Sequence, residues 1–404
     1  MNLADMLVYA DIAELTTIAE TYECTCSSHS KNELIQSILS TLQRREVLES
    51  RVSEMTGNDL RFLNSLLFEN RSAYSLEELK ARALSGDSKA NETSSSTGGN
   101  LAPMKAETRV RKGKNAAPVP PPSPDESARH SISRFKRFGW LFNGFSQQTR
   151  LLYQVPEDVK LRLRDALEKR YRSSLVVVDE PAAYRDERSL FAEDIVHFLR
   201  FVRDNELPLT SEGVMYKRQI QQALELLSVH EELPSRGGWR FGYGRRFRDY
   251  PDRFSLLYDF VFYEGYIAEQ SDRLMLSEEG RNIADGFAKP DPTKLYRFWL
   301  RLYKGAIPNL NTLTQWIMRL SADWVTVDSI YEILQPIVRS YYYDTQKDVL
   351  ERRVLVMLMH LGVIRWGETA EGNSVVIMTP QGKLLVSGNT LAFEDAINLG
   401  KPPV

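Results

Sequence analysis

Arginines and aromatic residues alternate with glycines over residues 235–250, which read SRGGWRFGYGRRFRDY and are called the arginine-aromatic strip below. Arginine guanidinium groups form paired hydrogen bonds with phosphate oxygens, and aromatic rings stack on exposed bases. Glycine allows the backbone to lie close to a phosphate. The composition therefore predicts a nucleic-acid contact, and the side chains expected to make it are Arg236, Trp239, Arg240, Tyr243, Arg245, Arg246 and Arg248.

The same strip also fits a packing role. Its aromatic rings could cover the helix core around Phe254 and Leu257, with arginines solvated or paired to Asp249 and Asp252. Stacking between arginine and aromatic rings stabilises protein interiors as well as complexes. The sequence leaves both interpretations open.

A second pair of cations, Lys217 and Arg218, lies at the start of a predicted helix. The apolar positions of that helix are Ile220, Ala223, Leu224 and Leu227, which share one face. Basic residues in its first turn could reach phosphates, or could form an ordinary solvated face.

The chain contains elements in the order of a winged helix, most clearly near the C-terminus. An apolar helix over 354–361 is stopped by Gly362, and the strands 364–366 and 375–378 flank a polar loop with two glycines. Helix, glycine, strand, loop, strand and helix form the second half of a winged helix. A related order is predicted around residues 256–280.

A short repeat marks the ends of these strands. The sequences beginning at Leu209, Leu276 and Met378 share an apolar residue, Ser or Thr, two further residues and glycine. A hydroxyl after a strand satisfies the first amides of a new helix, so each copy predicts a helix start.

The N-terminal part is predicted to be helical, with capping boxes at Ser30 and Ser75. Residues 86–128 are rich in Ser, Gly and Pro and predict a disordered linker. Segments 137–145 and 150–155 predict two strands of a wing. The expected organisation is a helical module at 1–85, the linker, a hairpin and helix at 129–180 that complete the first module, and winged-helix modules at 181–289 and 290–404.

Several functional classes find no support in the sequence. It contains no Gly-x-x-x-x-Gly-Lys-Ser/Thr phosphate loop, no Gly-x-Ser-x-Gly elbow and no His-Glu-x-x-His motif, so we expect no enzymatic activity. Cys24, Cys26 and His29 lack a second ligand cluster, so we predict neither a metal nor another cofactor. The cysteine usage, the short apolar runs and the lack of a leader favour a cytoplasmic protein without membrane contact.

Two segments carry a family resemblance. Residues 153–159 (YQVPEDV) and 198–218 (FLRFVRDNELPLTSEGVMYKR) resemble the N-terminal helicase-associated region of bacterial XPB-type helicases and similar free-standing bacterial proteins. The first 45 residues resemble SAP and Rho-N type modules. The resemblance implies nucleic-acid binding beside a motor that this chain lacks.

We therefore expect a mainly α-helical fold with small β-hairpin wings, arranged as tandem winged-helix modules. The expected function is non-enzymatic binding of single-stranded or duplex DNA, with a helicase or nuclease as the candidate protein partner. The alternative is a protein–protein scaffold without direct nucleic-acid contact, which the net charge of −2 favours.

Overall fold

The computed structural model describes residues 1–24, 30–69, 71, 73–84, 124–234, 243–270, 272–388 and 397. The chain is mainly α-helical with small antiparallel sheets, and it forms two compact units. Unit 1 comprises Met1–Leu66 and Ser72–Leu163, and unit 2 comprises Leu67–Arg71 and Arg164–Val404. Of the predicted linker at 86–128, residues 86–123 lie outside the described residues.

Unit 1 begins with helices whose starts are set by local caps. The side chains of Asp11 and Ser30 accept hydrogen bonds from first-turn amides of the second and third helices. The elements of unit 1 are α1 (Leu3–Tyr9), α2 (Ile12–Thr21), α3 (Lys31–Leu42), α4 (Arg45–Ser53), α5 (Gly57–Leu67, its last residue in unit 2), α6 (Leu76–Leu84), α7 (Pro124–Arg137), β1 (Phe142–Asn143), β2 (Tyr153–Gln154) and the start of α8 (Glu157–Arg172).

Unit 2 contains most of the β-structure. Its elements are β3 (Tyr184–Arg185), α9 (Leu190–Asp204), β4 (Leu207–Pro208), α10 (Lys217–Glu225), α11 (Asp252–Tyr263), β5 (Ile267–Gln270), β6 (Arg273–Leu276), α12 (Glu278–Ala284), α13 (Pro292–Tyr303), α14 (Leu310–Leu320), β7 (Val325–Thr326), α15 (Val327–Leu334), α16 (Gln346–Asp348), a π-helix (Val349–Leu355), α17 (Val356–His360), β8 (Ile364–Glu368), β9 (Ser374–Met378) and α18 (Pro380–Gly388).

Three stretches of the chain share one topology, and we call them repeats 1, 2 and 3. In each, a short strand or single bridge is followed by helices and then by a hairpin whose second strand pairs back with the first element. In repeat 1, Tyr74 bridges to Tyr153 of β2, after α6 and α7. In repeat 2 the sheet order is β4-β6-β5, and in repeat 3 the corresponding order is β7-β9-β8. Repeat 1 lies in unit 1, and repeats 2 and 3 lie in unit 2.

The last helix before each hairpin ends at a left-handed glycine. Gly139, Gly265 and Gly362 have φ values of 63°, 74° and 69°. In all three, the next residue donates its N–H to the carbonyl five positions earlier, at 2.8–3.1 Å. This is the Schellman arrangement, in which glycine avoids the penalty that a Cβ brings. The helix stop predicted at Gly362 is confirmed, and Gly265 ends its helix in the same way, in keeping with the related order predicted around residues 256–280.

The Ser/Thr-x-x-Gly pattern starts a helix in two of its three copies. Ser277 Oγ accepts from the N–H of Gly280 at 3.0 Å, and Thr379 Oγ1 accepts from the N–H of Gly382 at 2.9 Å. A Cβ added to Gly280 would overlap the carbonyl oxygen of Tyr266, and one added to Gly382 would overlap the carbonyl oxygen of Val363. Tyr266 and Val363 directly follow the left-handed glycines of repeats 2 and 3. The copy that ends at Gly213 forms a turn instead, so the predicted helix start there is wrong.

Helix α7 differs from the sequence-based prediction, which ended the linker at residue 128 and began a strand at residue 137. The helix runs from Pro124 to Arg137, and the hairpin strands are only two residues long. Ala128, Ile132 and Phe135 are buried at helical spacing and fix this segment against the core of unit 1.

The predicted boundaries at 180/181 and 289/290 fall within unit 2. There, β3 pairs with β8, so the sheet of repeat 3 has the order β3-β8-β9-β7. Among the helices that the structure describes, none has the length and apolar content that a membrane span requires.

Candidate nucleic-acid interface

Tyr243 of the arginine-aromatic strip is part of the core of unit 2. Its side chain is 2% exposed and lies 5.2–5.4 Å, between ring centroids, from Phe247, Tyr303 and Tyr341. Burial raises the pKa of the Tyr243 hydroxyl well above its ordinary value. Tyr243 therefore packs within the protein.

Arg245 and Arg246 converge on one carboxylate, that of Glu269 on β5. Arg245 Nη1 donates to Glu269 Oε1 at 2.6 Å, and Arg246 Nη2 lies 3.0 Å from both carboxylate oxygens. The Arg245 guanidinium also lies 4.2 Å from the ring centroid of Phe262. Burial alone would raise the pKa of Glu269, but hydrogen bonds from both arginines lower it below its ordinary value.

Arg246 also holds the turn that precedes α10. Its guanidinium is buried and donates to the carbonyl oxygens of Glu212 and Gly213. It fills the space beside Gly213, whose φ of 71° keeps the turn from continuing as a helix. Arg245 and Arg246 thus follow the packing interpretation of the strip.

The remaining predicted contacts divide into two groups. Arg236, Trp239 and Arg240 lie outside the described residues. Arg248, Lys217 and Arg218 are exposed.

The structure brings the segment before α10 against the end of the strip. The N–H of Met215 donates to Tyr250 Oη at 3.1 Å. Charges of both signs surround Asp249. Burial raises the pKa of its carboxyl group, the charge of Arg246 lowers this pKa, and the charge of Glu212 raises it. This surface therefore combines cations with acids.

Helix α7 presents a different surface from its counterparts in the other repeats. Every residue of α11 is buried or half-buried, and in the helical segment 349–360 of repeat 3 only Arg352 is exposed. Helix α7 instead exposes one polar face over its whole length. The exposed residues on it are Glu126, Arg129, His130, Ser133 and Arg137.

The cations of α7 have different environments. Arg129 pairs with Asp125 at 2.8 Å near the start of the helix, and Arg134 pairs with the buried Asp59 at 2.6 Å. Lys136 Nζ donates to Asn143 Oδ1 on β1 at 2.8 Å. Arg137, in the last turn, is exposed. The C-terminal half of α7 thus carries cations next to the hairpin.

The loop between β1 and β2 continues this surface. Phe145, Arg150 and Leu151 are exposed on it. Asn143 Nδ2 donates to the carbonyl oxygen of Arg150 at 3.3 Å, and the hydroxyls of Ser146 and Thr149 lie 2.8 Å apart. These bonds hold Arg150 beside the end of α7.

A groove of about 600 Å³ lies between α2 and α7 in unit 1. One wall includes Ser133, Lys136 and Arg137, and the opposite wall includes Asp11 and Glu14. At one end, the rings of Tyr9 and Phe145 stack with centroids 4.3 Å apart and planes at 12°. We call this feature the α2–α7 groove.

Sequence reasoning did not identify α7, the hairpin loop or the groove as a site. The available signal was RHSISRFKR at 129–137, with several cations and with apolar residues at helical spacing. The signal was missed because no helix was predicted for residues 129–136, which lie between the predicted linker and the strand predicted from residue 137.

The described residues contain no group of three or more His, Cys, Asp and Glu side chains placed to hold a metal ion. Cys26 and His29 lie outside the described part of the chain. Cys24 Sγ lies 3.5 Å from Thr41 Oγ1.

Comparisons with known proteins return no match: no protein-family model fits the chain, and neither the curated proteins nor the solved structures contain a significantly similar one.

Proposed function

We propose that this chain is a non-enzymatic, nucleic-acid-binding accessory protein built from three winged-helix modules, one in each repeat. The first module contacts nucleic acid through α7 and the loop between β1 and β2.

The shared topology supports the winged-helix interpretation. A winged helix has a short strand, two helices and a hairpin whose second strand pairs with the first strand. Repeats 2 and 3 have this pairing order, and Tyr74 provides the equivalent bridge in repeat 1. In helix-turn-helix proteins the second of two such helices enters the major groove of DNA.

The exposed face of α7 is the observation that carries the proposal. A helix can read or track nucleic acid only if its outer face is accessible, and α11 and the helical segment of repeat 3 lack such a face. Arg137 and Arg150 are exposed on neighbouring elements and can neutralise phosphates. The resemblance to helicase-associated regions adds a helicase or nuclease as the expected protein partner.

The proposal predicts salt-dependent binding to DNA that depends on these two arginines. Changing Arg137 and Arg150 together to alanine should weaken binding at low salt. It should also reduce the slope of log affinity against log salt by about two, because each lost phosphate contact releases about one counterion fewer. Fluorescence anisotropy of a labelled duplex over a salt series measures both quantities.

A matched control removes two exposed cations from unit 2. The double variant Lys217→Ala/Arg218→Ala changes the net charge equally and should leave the slope nearly unchanged. A salt slope that is reduced only in the Lys217/Arg218 variant would indicate that the interface lies in unit 2. Absence of binding to duplex DNA, single-stranded DNA and single-stranded RNA by the wild-type protein at low salt would refute the proposal.

A scaffold function is the second candidate, and burial of the equivalent helices in repeats 2 and 3 favours it for those repeats. Exposed apolar side chains in unit 2, after the hairpins of these repeats, include Phe287 and Leu384, which are 84% and 74% exposed. A partner that binds unit 2 while unit 1 binds nucleic acid would combine both functions.

A further inference from the structure

Both rings of the stacked pair Tyr9–Phe145 are exposed to solvent. Tyr9 is 61% exposed and Phe145 is 48% exposed, although the two rings lie nearly parallel at 4.3 Å. Each ring shields one face of the other, so each retains an outer face for a further ring. Flat aromatic platforms of this kind bind bases with little dependence on sequence, because every base has a π-face.

The two walls of the α2–α7 groove carry opposite charges. Lys136 and Arg137 line the α7 wall, whereas Asp11 and Glu14 line the α2 wall. Lys136 Nζ lies 3.8 Å from Glu14 Oε1 across the groove. Phosphates are therefore attracted to the α7 wall and repelled from the α2 wall, where carboxylates can accept hydrogen bonds from base amino groups.

Glu14 has an environment that fits this role. Burial raises the pKa of its carboxyl group above the ordinary value, although the charge of Lys136 lowers it. Among the described residues, none donates a hydrogen bond to Glu14 Oε1, which is buried. A polar group entering the groove would compensate this loss of hydration.

We propose that the α2–α7 groove holds an unpaired stretch of DNA or RNA. One base stacks on the Tyr9–Phe145 pair, the phosphates lie along Lys136 and Arg137, and base edges face α2. This inference rests on the proposed function and specifies it, because it makes an unpaired strand the preferred ligand of unit 1.

The test compares single-stranded and duplex probes on variants of the full-length protein. Labelled single-stranded DNA, single-stranded RNA and duplex DNA are titrated by fluorescence anisotropy. Loss of one base stack should weaken binding of Phe145→Ala to a single strand by between about 5-fold and about 150-fold, with little change for duplex. Phe145→Trp, which keeps an aromatic ring, should retain most of the affinity.

Phe287→Ala is the matched control, because it removes another exposed aromatic ring from the same chain. It should leave single-strand affinity unchanged. Because Phe145 is exposed, Phe145→Ala should keep the melting temperature of the wild type, and this measurement separates loss of binding from loss of folding.

The outcomes distinguish the two proposals. If Phe145→Ala binds single strands as well as the wild type does, while Arg137→Ala/Arg150→Ala still weakens DNA binding, the groove site is refuted and the proposed function stands. If the wild type binds none of the three probes at low salt, both proposals fail. Equal affinity of single strand and duplex for the wild type would also refute the groove as a single-strand site. Comparison of the affinities for single-stranded DNA and single-stranded RNA identifies which of the two the groove binds.

Discussion

Replacing Arg253 with methionine tests whether a buried ion pair holds α9 and α11 of unit 2 together. The Arg253 side chain is 0% exposed, and its Nη2 lies 2.6 Å from Asp194 Oδ2. Its Nε lies 3.6 Å from Glu187 Oε2, and its guanidinium lies 4.8 Å from the ring centroid of Phe191. Methionine keeps much of the volume and removes the charge.

The expected loss follows from the two carboxylates left behind. Breaking a buried pair by removing one partner costs about 3–5 kcal/mol, because an uncompensated charge remains buried. Asp194 retains a hydrogen bond from the N–H of Ser228 at 2.7 Å, and Glu187 retains His360 at 2.9 Å. These partners limit the loss, so we expect about 3–5 kcal/mol for the whole substitution rather than twice that.

The assay is urea unfolding followed by tryptophan fluorescence, with Arg203→Met as a matched control. Arg203 also pairs with two acids, Asp204 at 2.7 Å and Asp285 at 2.6 Å, but these pairs are exposed. Exposed pairs contribute about 0–1 kcal/mol. A loss for Arg253→Met below about 1 kcal/mol, or equal to that of Arg203→Met, would refute the reasoning.

The loss should also depend on pH. Burial alone would raise the pKa of Glu187, but His360, Arg185 and Arg253 lower it below its ordinary value. Without Arg253 the carboxyl group should take up a proton more readily, which relieves the buried charge at low pH. Arg253→Met should therefore be less destabilised at pH 5 than at pH 8, and an equal loss at both values would contradict this account.

Two further predictions concern local features of unit 2. Gly280→Ala and Gly382→Ala should each destabilise the protein by about 1–3 kcal/mol in urea unfolding, because the added Cβ meets a backbone oxygen. Gly305→Ala is the control, because a Cβ at that position has no atom within 4 Å. Burial raises the pKa of Glu231 to about 7, so the folded state binds its proton more tightly and stability should fall as pH rises from about 4.5 to about 7. Glu231→Gln should flatten that fall in urea unfolding over this range and the exposed Glu232→Gln should not, whereas equal slopes in both variants would contradict the assignment.

Local hydrogen-bonding rules predicted the helix ends well. Ser30 and Ser75 accept from amides three residues later, as the capping pattern indicates. The same holds for Ser277 and Thr379. Such a bond closes within a few residues, so the residue types that make it are adjacent in the sequence and can be recognised there.

Local patterns failed where a segment was polar on most sides. Helix α7 has only a narrow apolar stripe and follows a linker-like composition, so the pattern did not reveal a helix there. The turn that ends at Gly213 carries the same short motif as two helix starts. Its structure depends on Arg246, whose guanidinium occupies the space beside the glycine.

The sequence by itself determined which residues cap helices, which glycines can stop helices and where cations are concentrated. Only the tertiary structure decided what those cations do. Arg245 and Arg246 reach Glu269, more than twenty residues along the chain, and Arg253 reaches Asp194, about sixty residues away. A guanidinium group is equally suited to a phosphate and to a buried carboxylate. Its role depends on whether folding places an acid beside it, as in unit 2, or leaves it facing solvent, as with Arg137 on α7.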